Sequence, residues 1–108
     1  MIKLNSLEEI EEVIKNNNLS FLYFSNESCG VCTALLPKIN EVLKEYKDIK
    51  SIYIEIDDIK LAMERYSIFT IPAILMYVEG KETIREARFI SVDDIEEKIK
   101  RISIMYES

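Results

Sequence analysis

Leu19-Ser20-Phe21-Leu22-Tyr23-Phe24-Ser25-Asn26-Glu27-Ser28-Cys29-Gly30-Val31-Cys32 is the stretch on which the fold turns. Its first half is an almost unbroken apolar run, the pattern of a strand buried on both faces. After the second cysteine the period changes. Leu35, Leu36, Ile39, Val42 and Leu43 recur at helical spacing, which predicts a helix to about Tyr46. The only two cysteines of the chain therefore lie where a buried strand hands over to a helix.

That position matters because a thiol attacks as its thiolate, and a free cysteine has a pKa of about 8.5. The first turn of a helix offers unpaired N–H groups and the positive end of its dipole. CxxC pairs at such sites have pKa values of roughly 3.5–7.5. Glu27 opposes this, and the helix end is expected to outweigh one exposed carboxylate. With two residues between them, both sulfurs share one turn and can close a small disulfide. Gly30 has no β-carbon and leaves one side open to an incoming molecule. Thiol exchange needs no cofactor: one sulfur attacks a disulfide and the other resolves the mixed disulfide. Two blander readings stand beside this one. A structural disulfide across so short a loop constrains the unfolded chain little. A zinc site usually takes four ligands, and with no histidine and no third cysteine a second copy would have to supply half of it. No metal is assigned.

The 108 residues predict a single domain, residues 1–108, able to bury its own core. Hydrophobic residues make up 48% and charged residues 31%, ordinary values for a globular protein. No apolar run approaches a membrane span. The start, Met1-Ile2-Lys3-Leu4-Asn5-Ser6-Leu7-Glu8-Glu9, turns acidic too early for a signal peptide. A cytoplasmic location is expected, where a CxxC is more often catalytic than structural. Fourteen basic against twenty acidic residues leave a net charge of −6, which disfavours nucleic acid as a partner. A monomer is expected.

The rest of the chain supplies the other elements. Ile2–Leu4 reads as a short edge strand. Ser6-Leu7-Glu8-Glu9 is a capping box opening a helix to about Asn16, with Leu7, Ile10, Val13 and Ile14 on one face. Pro37 falls inside the helix after the cysteines and is expected to kink it. Residues 51–57 read as a strand and 59–66 as a short helix. Ile74–Val78 is a second apolar strand, joined through the turn Glu79-Gly80-Lys81-Glu82 to a strand over 83–89. Ser91 caps a last helix to about Ile102, and 103–108 read as a tail. The order β-α-β-α-β-α-β-β-α predicts an α/β fold, with helices on both faces of a mixed sheet.

Thr70-Ile71-Pro72-Ala73 precedes the strand at Ile74. A strand-start proline is one reading, because proline cannot donate to the ladder. The other is a cis turn that offers the backbone of Ile71 to an extended segment as an added strand. The apolar rim of the site would then be Val31, Ile71 and Ala73.

Over nearly its full length the chain resembles thioredoxin. The matching pieces are Cys29-Gly30-Val31-Cys32 after an apolar strand, Pro37 in the helix, and Asp57 ending the third strand. Ile71-Pro72 before the fourth strand and Gly80 in the hairpin complete them. The resemblance implies a thioredoxin fold, with four to five strands flanked by four helices in three layers, and a cis Pro72. It implies thiol–disulfide exchange on disulfide-containing protein substrates, with Cys29 as nucleophile and Cys32 as resolving thiol. Gly30, Val31, Ile71 and Pro72 would meet the substrate. A thioredoxin-reductase-type electron donor, flavin-dependent, would return electrons.

The chain also departs from the family pattern. Ser28 stands where the family usually has tryptophan, and Val31 where it has proline. Ser25 takes the place of a second tryptophan. Tyr23 aligns with the buried aspartate beneath the resolving cysteine, Tyr53 with the lysine that often neighbours it, and Arg88 with a late glycine. Losing that aspartate in a chain without histidine removes the evident general base, because a phenol with a pKa of about 10 is a poor one. Tyr23 is expected to reach the resolving sulfur, or simply to fill a more apolar core. Tyr23 and Ser28 are thus candidate modulators of the site. A different class of function, an interaction module with weak or vestigial redox activity, remains as the alternative.

Overall fold

The computed structural model describes residues 1–107. In chain order it contains β1 (Ile2–Lys3), α1 (Leu7–Asn16), β2 (Leu19–Ser25), α2 (Gly30–Leu43) and β3 (Lys50–Glu55). These are followed by α3 (Leu61–Arg65), β4 (Ala73–Val78), β5 (Lys81–Ala87) and α4 (Val92–Glu107). One sheet runs in the order β1-β3-β2-β4-β5. β1 and β2 pair parallel with β3, whereas β4 pairs antiparallel with both β2 and β5.

β2 is the centre of this arrangement, and all seven of its residues are buried. Alternation sends Phe21 and Tyr23 into a core shared with α2 and α4, where Leu35, Ile39, Ile95 and Ile99 meet them. Leu22 and Phe24 point the other way, toward Ile10 of α1, Ala62 of α3 and Tyr66 just beyond it. Burial on both faces explains the unbroken apolar run.

The helix starts follow their local chemistry. Ser6 Oγ accepts from the Glu9 N–H at 3.2 Å, and Glu9 Oε1 reaches back to the Asn5 N–H. Ser91 Oγ accepts from the Asp94 N–H. α2 continues through Pro37. In the β4–β5 hairpin both turn residues have positive φ, Glu79 at 50° and Gly80 at 80°. That is the backbone of a two-residue turn matching the twist of its strands, a role glycine fills without steric cost.

Several boundaries differ from the sequence reading. β3 stops at Glu55, so Asp57 lies in the turn beyond it, and α3 spans five residues. The hairpin turn is only Glu79 and Gly80, with Lys81 and Glu82 already paired to Val78 and Tyr77. The largest difference is at the end. Residues 103–107 are not a tail but the last turn of α4. No glycine or proline interrupts Arg101-Ile102-Ser103-Ile104-Met105, and Ile102 is still buried against the sheet, so the helix keeps both propensity and an anchor.

The packing predicts a contrast along α4. Ile99→Ala removes a fully buried side chain and is expected to lower the unfolding free energy by about 2–5 kcal/mol. Met105→Ala, at an exposed position, is expected to change it by about 0.5 kcal/mol or less in either direction. Urea unfolding of the two variants checks this.

Candidate active site

The site is built at the carboxyl end of β2. After Ser25 the chain turns on Asn26, whose Oδ1 accepts from the Ser28 N–H at 2.7 Å and whose carbonyl accepts from the Cys29 N–H at 2.9 Å. Asn26 Nδ2 donates to Asp57 Oδ2 at 2.8 Å, and the Glu27 N–H donates to Glu55 Oε1 at 3.0 Å. Two acidic residues beyond the neighbouring strand and at its end therefore hold the loop that presents Cys29.

Cys29 is the N-cap of α2. Its sulfur accepts from the Cys32 N–H at 3.2 Å, and its carbonyl accepts from both the Thr33 N–H and Thr33 Oγ1. One orphan N–H of the first turn, that of Cys32, thus faces sulfur, where a serine or aspartate oxygen commonly sits. Cys29 and Cys32 form a disulfide with a Cα–Cα separation of 5.3 Å. Cys29 is half-buried and Cys32 is closed off completely, at 0% exposure.

The remaining residues named from sequence fall around this pair. A β-carbon added to Gly30 would meet nothing within 4 Å, so that flank is open. Val31 is exposed, and the Ser28 side chain faces solvent. The Ile71–Pro72 bond is cis. Because Ala73 pairs with Phe24, the Pro72 turn lies at the same end of the sheet as the dithiol. Ile71 is half-buried and Pro72 buried. Ala73, expected on the rim, is fully buried instead, because it sits inside the sheet between β2 and β5.

Tyr23 also differs from expectation. Its hydroxyl donates to the backbone carbonyl of Cys32 at 2.7 Å rather than to the sulfur. Its ring packs against Tyr53, centroid to centroid at 6.2 Å. Burial, reinforced by Tyr53, pushes its pKa up to about 12. A phenol so disposed is a structural donor and stays protonated near neutrality.

Sequence reading passed over Glu55, Phe69 and Phe89 here, and named Arg88 only as a departure from a family glycine. Glu55 is a buried carboxylate, 4% exposed, and its second oxygen has no hydrogen-bond partner. Tyr53 Oη lies 3.5 Å from the first. The signal was present, since an acid closes the apolar run Ile-Tyr-Ile and alternation puts it on Tyr53's face. Phe69 and Phe89 are 87% and 90% exposed, on either side of the Pro72 and Arg88 pair in sequence. Arg88 holds a positive φ of 69°, costly for a residue with a β-carbon by roughly 1–2 kcal/mol. Its N–H donates to the Pro72 carbonyl at 2.9 Å. The late glycine that the family pattern has at this position is the signal for such a backbone. Among the described residues no group of three or more His, Cys, Asp or Glu is placed to hold a metal ion, and no helix is long and apolar enough to cross a membrane.

A thioredoxin family model matches residues 2–101. The chain belongs to the thioredoxin family. It is 41% identical over 107 residues to the thioredoxin-like protein YdfQ of Bacillus subtilis, covering 99% of this chain and 96% of that one. It is 28% identical over 103 residues to a thioredoxin of Chlamydia trachomatis, covering 95% and 97%. Among solved structures, Plasmodium falciparum thioredoxin superposes with a TM-score of 0.86 at 22% identity, over 94% of this chain and 98% of that one. Fasciola hepatica thioredoxin gives 0.84 at 24%, with the same coverage. The fold is the thioredoxin fold. Family membership and a cysteine pair that closes into a disulfide make this thioredoxin-family protein a thiol–disulfide oxidoreductase.

The buried tyrosines give the protein a specific alkaline response. Tyr66, like Tyr23, is pushed up to about 12, by burial and then by Tyr77. An unfolded tyrosine ionises near pH 10, so between about pH 10 and 12 the unfolded chain releases protons that the folded chain keeps. The stability these groups contribute is intact below about pH 10 and is lost as pH rises toward 12. Thermal midpoints measured across that window are expected to fall, and Tyr23→Phe is expected to make the fall shallower.

Proposed function

We propose that this protein reduces protein disulfides in the cytoplasm, as a single-domain monomer, and is recycled by a separate thioredoxin-reductase-type flavoenzyme. The observation that carries this is the asymmetry of the pair. Cys29 is reachable and lies under the Cys32 N–H, whereas Cys32 is shut off from solvent.

In the reduced protein the same N–H and the helix end favour Cys29 as thiolate. The Cys29 sulfur attacks one sulfur of a substrate disulfide. That S–S bond breaks, a mixed disulfide forms, and the first substrate sulfur leaves as thiolate. Cys32 then gives up its proton and attacks the Cys29 sulfur. The second substrate thiol departs, the substrate has gained two electrons, and the Cys29–Cys32 disulfide remains. The closed pair in this structure corresponds to that final state. The reductase returns two electrons to reopen it. Gly30 and Val31 leave room for the substrate on one side. Ile71 and Pro72 would receive its backbone on the other, as an added strand.

Tyr23 favours slow resolution over fast. Its hydroxyl is committed to the Cys32 carbonyl and its pKa is about 12, so it supplies no base for the Cys32 proton. That same observation supports the second reading, an interaction module with vestigial exchange.

Insulin reduction by the intact chain, with a chemical reductant as electron source, separates the two. Turnover abolished by Cys29→Ser is expected for the reductase, while equal rates in both proteins would leave only the interaction module. Cys32→Ser is expected to accumulate partners as mixed disulfides that a reductant releases, and an empty trap would count against protein substrates. A thiolate absorbance titration of the reduced protein is expected to place Cys29 below the free-cysteine value of about 8.5.

A further inference from the structure

The groove beside the dithiol carries one charge with no carboxylate partner among the described residues. A hollow of about 380 Å³ is lined by Val31, Leu35, Arg88, Phe89, Ile90 and Ser91. Val31 lies between the two cysteines in sequence, so the hollow borders the helical turn that carries them, although neither cysteine lines it. Its exposed walls are apolar: Val31 is 64% exposed and Phe89 is 90% exposed. Arg88 is its single charged lining residue.

Of the four arginines in the chain, three are committed to ion pairs. Arg65 binds Glu11, Arg85 binds Glu82, and Arg101 binds Glu97. Among the described residues Arg88 alone of the four has no carboxylate within ion-pair distance. Glu86, the acid nearest in sequence, does not answer it, because it pairs with Lys98, and Asp93 makes no ion pair with Arg88 among the described residues. A guanidinium without a carboxylate partner keeps all of its donors available to an incoming acid. Its backbone adds a second observation. Arg88 stands at a φ of 69° while its N–H is held by the Pro72 carbonyl, so an unfavourable conformation keeps the side chain at the mouth of the site.

We propose that Arg88 and Phe89 make this protein selective among protein disulfides, favouring an extended segment that carries an acidic residue and an apolar residue beside the attacked cysteine. The reading rests on the disulfide-reductase function proposed above. Charge complementarity identifies the occupant. A guanidinium with five donors and no internal acceptor fits a carboxylate in two-point contact, and the adjoining aromatic face takes the apolar neighbour. The exchange is unchanged in its bonds and electrons. The groove acts on which disulfide reaches Cys29 and in what register.

The test uses peptide disulfides identical except for the residue beside the cysteine, which is Asp in one, Gln in the second and Lys in the third. Reduction by the intact chain is followed as kcat/KM for each. The Asp peptide is expected to react about fivefold faster than the Lys peptide at low salt, from one exposed charge pair gained and one repulsion avoided. At ~1 M salt, where the screening length shrinks to about 3 Å, the ratio is expected to collapse toward unity. Arg88→Gly, which also relieves the backbone, is expected to abolish the preference at low salt. Arg88→Glu is expected to invert it and Arg88→Lys to retain it. Equal rates for all three peptides with the unaltered chain, or a preference that survives Arg88→Gly, would overturn the selectivity and leave the reductase standing. Reduction of none of them would overturn both.

Discussion

A single contact, from the Cys32 N–H to the Cys29 sulfur, gives the proposed cycle its chemical direction, and most of the fold serves to hold it. The sulfur can cap α2 only if the strand before it ends at a fixed point. β2 supplies that point because neighbours on both edges and cores on both faces leave it no freedom to slide. A one-residue slip would exchange Phe21 and Tyr23 for Leu22 and Phe24 across the sheet. The loop between strand and helix is then tied down by polar groups, Asn26 to Asp57 and Glu27 to Glu55. Apolar burial positions the site coarsely, and a few hydrogen bonds complete it.

The floor of the site differs in kind from the family pattern. Where the family pairs a buried acid with a basic neighbour, this chain packs Tyr23 on Tyr53. A tyrosine pair avoids the desolvation cost of two buried charges, which a salt bridge often fails to recover. It also changes what the helix rests on, because Tyr23 holds the Cys32 carbonyl and so touches the first turn through the backbone. The buried charge has moved to Glu55, one residue pair further along β3, where it restrains the loop and leaves one oxygen unanswered.

Much of this was legible in the residues. The unbroken run at β2, the cysteines at its end, the Ser6 and Ser91 caps and the Gly80 turn each have a local physical cause, and each appears where that cause places it. What escaped depends on tertiary surroundings. Helix α4 passed its expected end because Ile102 finds a pocket on the sheet, and a missing stop signal is harder to notice than a present one. Ala73 looked like rim and proved to be interior, since a strand's first residue is buried when neighbours lie on both edges. Phe69 and Phe89 carry no sequence signal for exposure, yet both are displayed at the surface. The left-handed turn at Arg88 was foreshadowed only by the glycine that the family pattern has there, and its N–H donates to the Pro72 carbonyl.

Sealing one of the two sulfurs has a consequence for regulation in time. A bulky molecule can make first contact only at residue 29, since its neighbour is walled in. In the proposed cycle, access therefore favours the same succession of bond changes as the N–H facing the Cys29 sulfur does. Drift in the surrounding charges would alter the tempo of the cycle while its sequence of events stayed the same.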